Sequence, residues 1–282
     1  MKAYQISASI VVYKNNPGDV VSAVKSVLSA PMRVMCTVVD NSRTPAVRQC
    51  VTESGAKYIY AQRNLGFGSG HNLALRPDCG VSEYHLALNP DVQFAAEISN
   101  ALYHFMNDNQ DIGLVMPQIR YPDGTDQRLC KQFPSPLTLI TRRFLSGIGR
   151  SMFAKQLSRY ELRHLDLGTV GEIPCLLGCF MFIRSAALRE VGFFDERYFM
   201  YMEDVDLCRR IGARYKIVLY PKVAVTHGYT KGSYRDPKLL KYHLQSAFRY
   251  FCKWGWIYDP ERSRLNKNTT PLILDEVTSI RN

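Results

Sequence analysis

The chain has 282 residues, 46% hydrophobic and 22% charged. This ordinary globular composition excludes a disordered chain, a fibrous repeat and a polyelectrolyte tail. Thirty-six Lys and Arg against 25 Asp and Glu leave a net charge of +11, which implies an anionic partner: a nucleotide, a nucleic acid or a membrane surface.

In chain order, Ile6 to Tyr13 (ISASIVVY) is a β-branched run that predicts a buried strand. Asn15 to Asp19 is a turn that opens a helix, with Val20, Val21, Val24, Val27 and Leu28 at helical spacing. Val34 to Val39 predicts a second strand closing in Asp40-Asn41-Ser42, and a helix follows over 45–53. Tyr58 to Tyr60 is a short third strand. Gly66 to Gly70 is a glycine-rich loop leading into His71 to Leu75. Tyr84 to Leu88 predicts a fourth strand ending at Asn89-Pro90-Asp91. A helix over 95–107 and a strand from Ile112 to Pro117 complete the alternation, which is the mark of an α/β sheet with mostly parallel strands. Ligands of such sheets bind at the carboxyl ends of strands, where Asp40 and Asn89-Pro90-Asp91 fall.

Beyond residue 120 the pattern loosens. Residues 121–136 read as a loop or hairpin, and 137–165 as helical and basic. Ile173 to Ile183 is the longest apolar run. It contains Pro174 and Gly178 and is too short for the ~20 residues of a membrane span. A helix begins after Ser185, and Tyr198 to Ile211 carries an acidic cluster into another. Ile217 to Val225 reads as a strand pair broken by Pro221, and 237–256 as a long aromatic and basic helix. The N-terminus lacks the pattern of a signal peptide. The eight cysteines are scattered without a CxxC pair, so reduced, mostly buried thiols and a cytoplasmic location are expected.

The charge is not spread evenly. Residues 120–165 hold nine Lys/Arg and three Asp/Glu, and 226–282 hold ten and five; the remaining 17 of each sign cancel. Two basic blocks therefore flank a neutral body.

Several residues are suited to chemistry. Asp91 is an isolated carboxylate at a strand end, where a hard divalent cation is held by few protein ligands plus phosphate oxygens; as a tripeptide, Asn-Pro-Asp is equally good turn chemistry. Glu203 and Asp206 share one side of a helix, with Asp204 turned roughly 100° from Glu203. Asp206 can pair with Arg209 or Arg210. A carboxylate emerging from the apolar wall Phe199 to Met202 suits general-base work, since desolvation raises its proton affinity. His227 follows an apolar strand and precedes a glycine-containing loop, a place compatible with metal or phosphate contact. The stretch Arg63 to Asn72 has neither the dinucleotide fingerprint nor the P-loop spacing, and reads as a tight turn with some capacity for anions.

Together the ordered blocks IVVYKN, VVDNS, QRNLGFGSGHN, LALNPDV, LLGCFMFIRS, GFFDERYFMYMEDVDLCRR and THG resemble inverting family 2 glycosyltransferases of the GT-A fold. The branch they resemble is the bacterial rhamnosyltransferase-like one that builds O-antigen, capsule or lipopolysaccharide sugars. The resemblance covers roughly residues 5–230. It implies a GT-A domain over 1–228, with a basic acceptor-side insertion at 120–165 and a C-terminal helical extension at 229–282. Val12 and Tyr13 match the wall holding the nucleotide base, Asp40 the acid reading the pyrimidine edge, and Arg63, Asn64, Gly66 and Asn72 the donor loop. Asp91 matches the metal position of the DxD motif, whose first member here is Asn89. Asp204 matches the catalytic base of the Glu203-Asp204 pair, and His227 a histidine that in some relatives joins the metal or diphosphate.

The implied activity is a metal-dependent (Mg²⁺ or Mn²⁺) inverting transfer, with dTDP-rhamnose as first donor and a UDP-hexose or UDP-N-acetylhexosamine as alternative, onto a saccharide or lipid-linked saccharide. The aromatic-basic block 226–282 is either a packed helix with a solvated face or a peripheral contact with the inner face of an anionic membrane. Two further classes are weaker. A non-catalytic nucleic-acid binder lacks any motif, and the acids at 203–206 oppose it. A nucleotidyltransferase lacks its glycine- and lysine-rich N-terminal loop.

Overall fold

The computed structural model describes residues 3–145, 151–228 and 236–269. Its first half is the predicted alternation. Strands β1 (Tyr4–Val12), β2 (Val34–Asp40), β3 (Lys57–Tyr60) and β4 (Ser82–Leu88) are separated by helices α1 (Pro17–Leu28), α2 (Arg48–Glu53) and α3 (Phe67–Asp78). Next come β5 (Val92–Gln93), α4 (Ala96–Asp108), β6 (Ile112–Arg120), β7 (Cys130–Lys131), α5 (Pro136–Phe144) and α6 (Ala154–Tyr160). The rest is β8 (Gly171–Glu172), β9 (Cys175–Leu176), β10 (Phe180–Arg184), α7 (Ser185–Val191), α8 (Glu203–Gly212), β11 (Lys216–His227), α9 (Pro237–Trp254) and α10 (Pro260–Leu265).

Nine strands form one sheet in the order β3-β2-β1-β4-β10-β6-β11-β5, with β8 also on β11; β7 and β9 pair separately. The β3-β2-β1-β4 block is parallel, whereas β10 runs antiparallel to both β4 and β6. The predicted break at Pro221 is a bulge instead. One strand, β11, runs from 216 to 227, and its register on β6 shifts between Tyr220 and Ala224. Pro221 has no N–H to give a ladder, so it sits where pairing lapses. The apolar run 173–183 divides into β9 and β10 around the turn at Gly178 and Cys179. Among its described residues the basic stretch 137–165 contains the short helices α5 and α6.

Alternation along β1 places Ile6, Ala8 and Ile10 on one face and Ser7 and Ser9 on the other, all fully buried. The serines join a chain of buried polar groups. Ser7 Oγ lies 2.8 Å from Ser82 Oγ and 2.7 Å from His85 Nδ1, and Ser9 Oγ bridges His85 Nε2 (2.8 Å) and His71 Nδ1 (2.7 Å). Burial lowers both histidines to about 3, so both are neutral. All eight cysteines are free thiols, as expected.

The C-terminal segment is fastened to α8. Arg209, 2% exposed, grips Asp259 with bonds of 2.7 and 2.5 Å and lies 4.4 Å from the Trp254 ring. Asp206 takes Arg210 (2.9 Å) on one oxygen and Lys253 and Trp254 Nε1 (both 2.7 Å) on the other. Asp206 is thus a structural hub. Of its two possible partners it takes Arg210, because Arg209 turns to the opposite carboxylate. Helix α9 therefore packs on the helix that begins with Glu203 and Asp204.

Candidate active site

Between α8, the ends of β4 and β11, and the α5–α6 region lies a cavity of about 390 Å³. Asn89, His227, Glu203, Asp204 and Gly178 line one part of it; Arg142, Arg143, Tyr160 and His243 line another. Four of the predicted site residues, from three separate segments, thus face one space.

Asp204 is positioned by backbone geometry. Tyr201 and Met202 both adopt left-handed φ values (69° and 68°) directly before α8, an uncommon conformation for such bulky side chains. The chain turns there and delivers the acids at the first turn of the helix. Gly178 N–H donates to Asp204 Oδ2 (2.9 Å) and Val205 N–H to Oδ1 (2.8 Å). Gly178 is packed against this carboxylate: a Cβ there would lie 3.1 Å from Asp204 Cβ. Burial nevertheless dominates and raises the Asp204 carboxyl. Glu203 is raised further, first by burial and then by the Asp204 charge; its Oε2 is buried without a hydrogen-bond partner. Burial thus favours the uncharged form of both carboxyls, and the neighbouring Asp204 charge adds to this at Glu203.

The second corner is built on the ends of β4 and β11. Asn89 N–H donates to the Cys179 carbonyl (2.9 Å), which ties the β4 end to the turn holding Gly178 and Asp204. His227 Nε2 lies 3.3 Å from Asn89 Nδ2 and 3.4 Å from Asp91 Oδ1. Sequence reasoning missed the residue behind it, Gln127. The Gln127 amide nitrogen donates to the carbonyls of His227 (2.7 Å) and Arg120 (3.3 Å). Its oxygen must therefore face His227 Nδ1, at 2.9 Å. An amide oxygen only accepts, so Nδ1 carries a hydrogen and Nε2 is the ring nitrogen turned toward Asn89 and Asp91.

A divalent cation fits this corner. A carboxylate and an imidazole nitrogen 3.4 Å apart, the imidazole oriented from behind, form a partial donor set of the kind Mg²⁺ or Mn²⁺ completes with phosphate oxygens. Among the described residues no group of three or more His, Cys, Asp and Glu could hold a metal by itself.

The remaining predicted residues lie outside this cavity. Val12 pairs with Asp40 across β1 and β2, and Tyr13 is 45% exposed beside them. Asp40 is buried, accepting from Ser42 N–H (2.8 Å) and Tyr58 OH (2.7 Å). Arg63 is exposed. Asn64 accepts from Gly66 N–H (2.9 Å). Asn72 spends its amide on the chain: Nδ2 donates to the Phe194 carbonyl and Glu196 (both 2.9 Å), and Oδ1 accepts Phe194 N–H (3.1 Å).

The glycine-rich run serves packing. Gly66 has φ +84°, and a Cβ there would collide with the Phe199 carbonyl, which also takes the Phe67 N–H (3.0 Å). A Cβ on Gly68 would press Phe194, and one on Gly70 would press Val11. These glycines bring α3 down onto β1 and onto the 194–199 segment that leads to Asp204.

No family model matches the chain. It is 28% identical over 252 residues to the N-acetylglucosaminyl-diphospho-decaprenol L-rhamnosyltransferase of Mycobacterium tuberculosis, covering 83% of this chain and 80% of that one. It is 26% identical over 226 residues to rhamnosyltransferase WbbL of Escherichia coli, covering 76% and 80%. Among solved structures it is similar to the mannosyltransferase PcManGT of Pyrobaculum calidifontis, in complex with GDP-Man and Mn²⁺. The TM-score is 0.60 at 15% identity, covering 94% of this chain and 69% of that one. Of two other solved structures with this fold the chain spans less, 60% and 42% of their length. The fold is that of the GT-A glycosyltransferases. Within that class the chain is rhamnosyltransferase-like, as its ordered sequence blocks implied.

Proposed function

We propose that this protein is an inverting glycosyltransferase, of the family 2 type, that moves a sugar from a nucleotide diphosphate donor to a hydroxyl of a saccharide or lipid-linked saccharide acceptor. The observation that carries the reading is the cavity that Asp204 shares with Asn89 and His227, whose Nε2 lies 3.4 Å from Asp91. Asp204 takes the proton of the acceptor hydroxyl. The oxygen bonds to the anomeric carbon from one face as the bond to the nucleotide diphosphate breaks on the other. Protonated Glu203 keeps a second negative charge away from Asp204. Asp91 and His227 would hold Mg²⁺ or Mn²⁺, with Gln127 fixing the imidazole; the cation, when bound, neutralises charge on the diphosphate.

Outside the cavity, Val12, Tyr13 and Asp40 would bound the nucleotide base, and Arg63 would approach the donor from its exposed loop. Asn64, Gly66 and Asn72 act one step back, holding the donor side of the fold in shape. The relatives' names support rhamnose as the sugar and, for one of them, a lipid-linked diphosphate saccharide as the acceptor; dTDP-rhamnose is the first donor and a UDP-hexose or UDP-N-acetylhexosamine the alternative. The site lies within the proposed 1–228 domain except for His243, which the C-terminal extension supplies.

The test is a panel of nucleotide sugars with Mn²⁺, scored by thermal shift and then by transfer. Stabilisation and transfer with dTDP-rhamnose are expected. Transfer from a UDP sugar alone would replace the donor, and no transfer from any nucleotide sugar would contradict the reading.

A further inference from the structure

Helix α5 is built inside out. It buries two threonines, Thr138 and Thr141, against the protein and leaves Leu137, Ile140 and Phe144 48%, 54% and 56% exposed. At 100° per residue these three fall within a 60° arc, one continuous apolar stripe. Ordinary amphipathic helices turn such a stripe to the core. The opposite side of α5 sends Leu139, Arg142 and Arg143 into the cavity that holds Asp204. The helix is therefore a wall, with the candidate active site on one side and a stripe of large apolar side chains in solvent on the other.

The surroundings indicate what covers the stripe. Helix α5 carries no acidic residue, and the 120–165 segment that contains it has a net charge of +6 along the sequence. A second copy would bring two net-basic segments together. An anionic surface that also takes apolar side chains is complementary on both counts, and an anionic lipid bilayer has both properties. No helix among the described residues is long and apolar enough to cross a membrane, so contact through this face would be peripheral.

We infer that the Leu137–Ile140–Phe144 face of α5 docks on an anionic lipid bilayer and thereby sets the α5 wall of the cavity against the membrane surface. The inference moves the membrane contact from the C-terminal block, where the sequence suggested it, to the insertion. In α9 and α10 the cations Lys253 and Arg262 face Asp206 and Asp259. It deepens the proposed function by giving the enzyme access to a lipid-linked acceptor, and rests on that reading only there.

The test uses the full chain with vesicles of phosphatidylcholine alone and with added phosphatidylglycerol, at low and high salt, and the variant Leu137→Ser/Ile140→Ser/Phe144→Ser. The wild type should sediment with the anionic vesicles at low salt and release at high salt. The variant should bind at least tenfold more weakly, with unchanged melting temperature and unchanged transfer to a short water-soluble acceptor. As a second readout, Phe144→Trp should be quenched by brominated lipid. No binding of the wild type to anionic vesicles, or equal binding by the variant, overturns the docking face. Loss of soluble transfer in the wild type would instead overturn the proposed function and leave vesicle binding to stand or fall separately.

Discussion

The two groups of predicted site residues differ in where their polar atoms point. In the predicted donor loop, Asn64, Gly66 and Asn72 are turned inward. Their hydrogen bonds go to Gly66 N–H, Phe194 and Glu196, and the glycines exist to let α3 approach β1 and Phe199. On the cavity side, Asn89, Asp204 and His227 are held from behind by Cys179, Gly178 and Gln127, with their functional atoms toward a common space. A motif can thus record either chemistry or the close packing that supports chemistry, and its spacing alone does not separate the two.

This contrast is open to breakage. The largest effect belongs to Gly66→Ala, where a Cβ meets the Phe199 carbonyl and φ is positive. We expect a loss of about 4 kcal/mol or more in chemical unfolding; a stable Gly66→Ala protein with selectively weakened donor affinity would reverse the packing assignment. Asn72→Ala should cost about 1–3 kcal/mol of stability through its lost buried hydrogen bonds. Its donor affinity, measured by calorimetry below the melting range, should be nearly unchanged.

On the cavity side, Gln127→Leu removes the acceptor for His227 Nδ1–H. Mn²⁺ affinity followed by electron paramagnetic resonance should fall ~10–100-fold, and Gln127→Glu, which keeps an acceptor, should recover part of it. Unchanged Mn²⁺ binding in Gln127→Leu would remove the imidazole from the cation site.

The smallest effects concern pH. Burial raises Asp204, and a general base works only when ionised, so transfer should decline on acidification at a pH above the ordinary ~3.9 of an aspartate. Stability responds in the same direction for a different reason. His71 and His85 are held near 3 in the folded protein against about 6.5 unfolded. The unfolded chain therefore binds more protons in that window, and their contribution, complete above about pH 6.5, is lost as pH falls. His85→Gln should show a shallower drop in melting temperature between pH 7 and 5 than the wild type.

Much of this was legible in the chain. β-Branched and apolar runs located β1, β2 and β4, helical spacing located α1, and Asp40 and Asn89-Pro90-Asp91 fall at strand ends as read. Asp206 was readable as structural from its distance to Arg210. Gln127 was not. It lies in an irregular segment with no periodicity, and its importance arises only when β11 returns His227 a hundred residues later. The inward use of Asn72 was equally hidden, since it depends on the 194–196 loop reaching α3. The strip on α5 was masked by its position in a basic stretch, where Leu137, Ile140 and Phe144 look like an ordinary buried face until the fold shows which side is covered.

The central claim is that Asp204 supplies the base while other groups hold the donor. Asp204→Asn, nearly isosteric, tests it most directly, with sugar transfer and calorimetric donor binding in Mn²⁺ measured on one preparation. Donor affinity should stay within about threefold of wild type while transfer falls by ~10²–10⁴-fold. Near-normal transfer by Asp204→Asn would contradict it.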